Sequence, residues 1–206
     1  MQTLVAAAGV RDPGGFVADW RRKQLEYAFL TSIANAYRNF DELTVDALAF
    51  TCEQREVELD SSVMRELADA WRTMPAYGDV APALQALAAR NVSLAVLTNG
   101  TPSSANTALE HAGVRGLLTD VLSVDSVRAY KPDPRVYALV TARFACAPRE
   151  IVFVSSNAWD AWGAAAFGFR VAWCNRARST FEILRPLPET TLAGLHELPA
   201  FVARAG

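Results

Sequence analysis

Apolar positions along the chain change their period once, near residue 76. Before that point Phe16, Trp20, Tyr27 and Leu30 recur at spacings of 4, 7 and 3, which sets them on one face of a helix. Asp12-Pro13 just upstream has the form of an N-cap followed by proline at the first helical position. A second helical pattern begins at Asp41-Glu42-Leu43-Thr44, with Val45, Leu48 and Ala49 lining a face. A third runs from Asp60 through Val63, Leu67 and Trp71. No strand-like alternation interrupts them, so residues 1–76 read as a small bundle of antiparallel helices.

Residues 77–206 follow a different rule. Four short apolar runs rich in β-branched residues predict strands at 92–97, 121–124, 151–154 and 171–173. Helical stretches at 80–90, 103–112, 134–144 and 159–167 lie around and between them, and Gly113 stands where a helix C′ residue would. Strand–helix alternation with nearly continuous apolar strands is the signature of a parallel sheet covered on both faces. Pro186-Leu187-Pro188 reads as a turn before a last amphipathic helix over 191–204. The expected architecture is α/β: a helical segment, 1–76, and an α/β core, 77–206.

Composition narrows the class of protein. Of the 206 residues 51% are hydrophobic and 20% charged, enough to bury a core and too apolar for disorder. The 20 Lys and Arg against 22 Asp and Glu leave a net charge of −2, which offers no field for nucleic acid or an anionic membrane. No uncharged apolar stretch is long enough to span a bilayer, and Met1–Val10 lacks the basic start of a signal peptide. Cys52, Cys146 and Cys174 are odd in number and far apart, which points to a reduced, cytoplasmic chain. With only His111 and His196, a histidine-rich metal site is excluded and a Ser-His-Asp triad disfavoured.

Open α/β sheets bind ligands at the carboxyl ends of their strands, so the residues just after each strand carry the chemistry. Thr98-Asn99-Gly100-Thr101-Pro102 follows the first run. Thr98 puts a hydroxyl at a strand tip, whereas Thr101 reads as a plain helix cap. Lys131 sits between Tyr130 and Pro132-Asp133-Pro134, a stiff turn that presents an ammonium where a lone lysine would otherwise be a solvated surface group. Ser155, Asn157 and Asp160 follow the third run. Asp160 either caps the helix that follows or acts as a carboxylate that accepts a proton from water or pairs with Lys131. In the helical half, Arg21 lies beside the apolar stripe; periodicity alone favours an outward charge over an inward guanidinium that meets an anion.

Taken together, Trp20-Arg21-Arg22-Lys23-Gln24-Leu25-Glu26-Tyr27, Leu97-Thr98-Asn99-Gly100, Ser123-Val124-Asp125, Tyr130-Lys131-Pro132-Asp133, Arg135-Val136-Tyr137 and Phe153 through Asp160 resemble the haloacid dehalogenase superfamily. More narrowly they resemble type II (S)-2-haloacid dehalogenases, in family order over nearly the whole chain. The resemblance implies a Rossmann-like core under an α-helical cap, and a role for each matching residue. Arg21 would receive the departing halide, while Thr98 and Asn99 would hold the substrate carboxylate. Lys131 would balance a nucleophilic carboxylate. Tyr137, Ser155, Asn157 and Asp160 would complete the polar site, Asp160 helping to position or activate water. Leu25, Phe40 and Trp159 would wall the carbon–halogen bond. The implied chemistry needs no cofactor, and the implied partners are a 2-haloacid, water and, through helices, a second copy of the chain. The rival on the same fold is a magnesium-dependent phosphatase. Such enzymes usually place an Asp where Ser155 stands, and a hydroxyl is a poor ligand for a hard divalent cation.

The chain departs from the family at one element. The family opens with a strand ending in Asp-x-Tyr-Gly-Thr, whose Asp is the nucleophile, and these 206 residues contain no such run. The first core strand is therefore expected to be missing, which would leave two facing sheet edges unpaired and the chain as given without activity. A start assigned too far downstream is the reading preferred over a catalytically dead relative or a binding protein.

Overall fold

The structure, a computed structural model, describes residues 1–205. Contacts divide the chain into two compact units. One comprises Met1–Pro75, Thr98–Arg115 and Ser123–Tyr130; the other comprises Ala76–Leu97, Gly116–Leu122 and the chain from Lys131 onward.

The first unit is helical: α1 (Gln2–Ala7), α2 (Pro13–Ile33), α3 (Phe40–Gln54), α4 (Ser61–Asp69) and α6 (Pro102–His111). Local chemistry sets where they begin. Asp12 accepts from the Gly15 N–H at 3.0 Å with Pro13 at the first helical position, and Asn39 caps α3 through the Glu42 N–H at 3.0 Å. Thr101-Pro102 starts α6 in the same manner, Thr101 Oγ1 accepting from Ser104 N–H at 3.2 Å, and Gly113 follows its end at φ +68°.

Two helical faces differ from expectation. On α2 the buried line is Phe16, Trp20, Gln24 and Ala28, spaced by four, whereas Tyr27 is half-buried and Leu30 is 53% exposed. On α3 the buried residues are Leu43, Thr44, Ala47, Leu48, Thr51 and Cys52, while Val45 and Ala49 face outward. In both cases small residues, or polar residues with a hydrogen-bond partner, hold buried positions, so apolar identity alone misplaces the face. Trp20 anchors this core. Its indole donates to the Thr44 carbonyl at 2.9 Å and meets Trp71 edge-on at 5.4 Å between centroids.

The second unit holds α5 (Val80–Ala88), α7 (Pro134–Phe144), β3 (Val152–Ser155), α8 (Ala158–Phe167), β4 (Arg170–Cys174), β5 (Thr190–Leu192) and α9 (Leu198–Ala205). β3, β4 and β5 form a parallel sheet, with Phe153 opposite Val171, Ser155 opposite Trp173, and Ala172 opposite Thr190. β1 (Ala95–Thr98) and β2 (Asp120–Ser123) form a separate pair. Among the described residues β1 therefore pairs only with β2, and β3 has a neighbour on one side only. Burial follows: β4, flanked on both sides, is buried from Val171 to Cys174, whereas Val152, Phe153 and Val154 are half-buried.

The last helix expected over 191–204 is corrected: Thr190–Leu192 adds to the edge of β4, and α9 begins only at Leu198. The run Thr190-Thr191-Leu192 is β-branched and meets an open ladder, and together these override helical spacing. Asp79, at the start of α5, ties this end together. It takes a two-pronged ion pair from Arg176 at 2.8 Å for each bond and the Leu195 N–H at 2.7 Å.

Candidate active site

The polar groups of the second unit converge on one carboxylate. Asp160 lies in the first turn of α8, 1% exposed, and receives three donors. Lys131 Nζ and Ser155 Oγ each donate to Oδ2 at 2.8 Å, and the Tyr137 hydroxyl donates to Oδ1 at 2.9 Å. Lys131 also donates to the Leu97 carbonyl at the end of β1, at 3.2 Å. Of the two roles read for Asp160, the structure shows the pairing with Lys131 rather than a helix cap.

Each member is placed by a fold element. Asp133 caps α7 through the Arg135 N–H at 2.9 Å with Pro134 behind it, which holds Lys131 in the turn ahead of that helix. Tyr137 sits one turn into α7, fully buried; desolvation and then the neighbouring Asp160 charge push its phenol well above the ordinary range. Ser155 ends β3, and its hydroxyl also accepts the Asn157 N–H at 3.2 Å. Asn157 begins α8 by its backbone, leaving its side-chain amide uninvolved in capping. Trp159 lies half-buried in the first turn of α8. Gly163 completes the arrangement: a Cβ there would stand 2.6 Å from both Pro132 Cβ and the Tyr137 hydroxyl.

The first unit carries the remaining candidates. Thr98 Oγ1 accepts from the Gly100 N–H at 2.9 Å, so its own proton remains available to a ligand. The turn that holds Thr98 and Asn99 is fixed from two sides. Ser123 Oγ donates to the Gly100 carbonyl at 2.8 Å. Asp41 of α3 accepts from Thr101 Oγ1 at 2.9 Å and from Ser104 Oγ at 2.8 Å. Phe40, first residue of α3, packs against Tyr130 at 6.0 Å between centroids. Tyr130 in turn donates to the Arg38 carbonyl at 2.6 Å. Asp125, just after β2, accepts the Tyr37 hydroxyl. Burial and that carboxylate raise the Tyr37 phenol far above its usual value.

Arg21 and Leu25, one turn apart on α2, line an open groove of about 490 Å³ with Ala18, Arg22, Glu26 and Phe29. The Arg21 guanidinium is largely desolvated, which pulls its pKa below the ordinary arginine value. Its hydrogen bond within the unit is to Gln24 Oε1 at 3.4 Å, and it has no carboxylate partner among the described residues. The structure thus turns Arg21 further inward than helical periodicity allows for. Sequence reasoning missed Gln24, Asp41 and Tyr37. Each is an ordinary polar residue by type, and only the tertiary partner across the helix interface marks it out.

With this geometry in place, likeness to known proteins is informative. A family model described as haloacid dehalogenase-like hydrolase matches residues 3–168. A (S)-2-haloacid dehalogenase of Pseudomonas sp. (strain YL) is 43% identical over 176 residues, 85% of this chain and 76% of that protein. The crystal structure of an L-2-haloacid dehalogenase matches with a TM-score of 0.95 at 32% identity, covering 98% of this chain and 91% of the other. A structure of the L-2-haloacid dehalogenase from Xanthobacter autotrophicus with chloropropionic acid covalently bound matches at 0.91 and 30%, covering 98% and 92%. The chain belongs to the haloacid dehalogenase-like hydrolases and, within them, to the (S)-2-haloacid dehalogenase family of enzymes acting on carbon–halide bonds.

Proposed function

We propose that this chain provides the scaffold for hydrolytic dehalogenation of short (S)-2-haloalkanoates to (R)-2-hydroxy acids through a covalent ester. The observation that carries the reading is the buried cluster of Lys131, Asp160, Ser155 and Tyr137, a cation held at strand ends by a carboxylate whose own charge is already matched. In this reading a carboxylate attacks the halogen-bearing carbon, the carbon–halogen bond breaks with inversion, and the halide leaves. Lys131 balances the attacking carboxylate before reaction. Arg21 and Asn157 stabilise the halide as charge develops, and Thr98 with Asn99 holds the substrate carboxylate. Leu25, Phe40 and Trp159 keep water from the reacting carbon. Water, positioned by Asp160, then attacks the ester carbonyl and frees the hydroxy acid.

The nucleophile of this scheme is a carboxylate on a strand ending in Asp-x-Tyr-Gly-Thr, which these 206 residues do not include. The test extends the chain at its N-terminus by such a strand and measures halide release from (S)-2-chloropropionate. Halide release with (R)-lactate as product is expected. Magnesium-dependent phosphate release from phosphate esters, with no halide released, overturns the reading. The same reading divides the chain into a cap, 1–76, and a core, 77–206. It expects a reducing cytoplasm, in keeping with free Cys52, Cys146 and Cys174. It also expects a homodimer. The apolar residues of α3 and Trp71 are largely packed within their own unit, and the exposed large apolar side chains of that unit are Leu4, Leu30, Ile33 and Val45. A dimeric mass by light scattering that falls to monomer on Ile33→Glu is the expected result.

A further inference from the structure

We propose that Gln24 is the positioning residue for Arg21, a charge-neutral partner that orients the guanidinium while leaving its positive charge unspent for an anion. The proposal rests on the dehalogenase reading above, in which Arg21 receives the halide.

Gln24 is 1% exposed, on the buried line of α2, where a glutamine is costly unless both ends of its amide are bonded. Both ends are. Oε1 accepts from Arg21 Nη1 at 3.4 Å, and Nε2 donates to Thr44 Oγ1 at 2.8 Å. Thr44 Oγ1 donates to the Phe40 carbonyl at 2.7 Å, and the Thr44 carbonyl accepts the Trp20 indole N–H at 2.9 Å. A relay therefore runs from Arg21 through Gln24 and Thr44 to Phe40, joining α2 to the first turn of α3.

The chemistry of the relay selects an amide. The Thr44 hydroxyl has one proton, already committed to Phe40, so the group facing it must donate. The group facing Arg21 must accept. A carboxylate satisfies only the second requirement and neutralises the guanidinium; a lysine or arginine satisfies only the first. Other arginines of the unit show the alternative. Arg22 holds Asp19 at 2.7 Å, Arg55 holds Asp19 and Asp12, and Arg38 holds Glu42 and Asp46. Arg21 has its pKa pulled down by burial, and of these four it alone lacks a carboxylate among the described residues.

Chloride binding reads this directly and requires no turnover. Chloride NMR line broadening is titrated with the 206-residue chain and with Arg21→Met, Gln24→Glu, Gln24→Met and Thr44→Val, each also followed by thermal melting. Arg21→Met is expected to remove the specific broadening. Gln24→Glu should remove it equally, by neutralising Arg21 in place. Gln24→Met should weaken it about tenfold, the effect of losing one hydrogen bond to a charged group. Thr44→Val leaves the Arg21 contact but frees the amide, and should weaken it less. A purely structural Gln24 would lower the melting temperature of Gln24→Glu and Gln24→Met while the folded protein bound chloride as before, and that result overturns the proposal. If Gln24→Met does not melt cooperatively, unchanged chloride binding by Thr44→Val overturns it in the same way. If Arg21→Met binds chloride as the unaltered chain does, or the unaltered chain binds none, it is the assignment of Arg21 to the halide that fails.

Discussion

At Gly163 a single hydrogen separates a working cluster from a steric clash. A methyl group there meets Pro132 and the Tyr137 hydroxyl at 2.6 Å, and both belong to the rigid surroundings of Lys131. Gly163→Ala is expected to lower stability by about 1–3 kcal/mol, read from the urea midpoint, because a packed core absorbs an added methyl only by shifting. Asp160 carries more. Asp160→Asn leaves the buried Lys131 ammonium without its counter-charge and should cost about 3–5 kcal/mol. Adding Lys131→Met to it should recover part of that loss, since an absent charge costs less than an unpaired one. A double variant no more stable than Asp160→Asn alone would show that the pair contributes through Ser155 and Tyr137 rather than through charge. Lys131, Ser155 and Asp160 were legible in the sequence because they follow strand runs, Lys131 in a turn stiffened by Pro132 and Pro134, whereas Tyr137 entered only through the family resemblance. Whether Asp160 capped a helix or met Lys131 was not legible, since both roles suit a carboxylate in a first helical turn and only the depth of burial separates them.

Helices and strands were legible where local chemistry marks their ends. Asp12-Pro13, Thr101-Pro102 and Asp133-Pro134 each begin a helix as written, because a side-chain acceptor and a preset φ act within the segment itself. Thr190–Leu192 was misread because its strand conformation depends on β4, a partner distant in sequence. Gln24 was hidden for the same kind of reason, being a polar residue on a line that identity alone assigns to the apolar Tyr27 and Leu30. The joint at Asp79 is also invisible in sequence, yet it predicts a pH response. Hydrogen bonds from Arg176 first, then from the Leu195 N–H, hold the Asp79 carboxyl at about 2, below the usual carboxylate range. A depressed folded pKa contributes stability that is fully present above the unfolded value, about 4, and is lost as pH falls toward 2. Because the pair is partly hydrated, the contribution is about 1 kcal/mol. Asp79→Asn should therefore lower the urea midpoint at pH 6 and narrow the gap to the unaltered chain at pH 2.5. An equal gap at both values would mean that the link stabilises by packing, not by charge.

For the molecule as a whole, the decisive feature is a sheet in two pieces. β1 ends at a carbonyl that Lys131 holds, β3 ends at the serine bonded to Asp160, and each strand offers a ladder edge without a partner among the described residues. Such an edge leaves backbone donors and acceptors without a ladder partner, and Val152, Phe153 and Val154 are half-buried beside the buried Val171–Cys174 of β4. A strand set against these edges would gain roughly 1 kcal/mol for each backbone hydrogen bond formed and more from covering the apolar side chains. A polypeptide of these 206 residues is accordingly expected to release no halide. It should also unfold at a lower urea concentration than the chain extended by a strand ending in Asp-x-Tyr-Gly-Thr, the two differing by several kcal/mol. Covalent attack needs a carboxylate within bonding reach of the substrate carbon, and Asp160 is already committed to three donors. The comparison of the two polypeptides decides the matter on both counts. Equal halide release would make a carboxylate among these residues the nucleophile, with Asp160 the first to replace by Asn. Equal urea midpoints would show that the edges of β1 and β3 accept no strand.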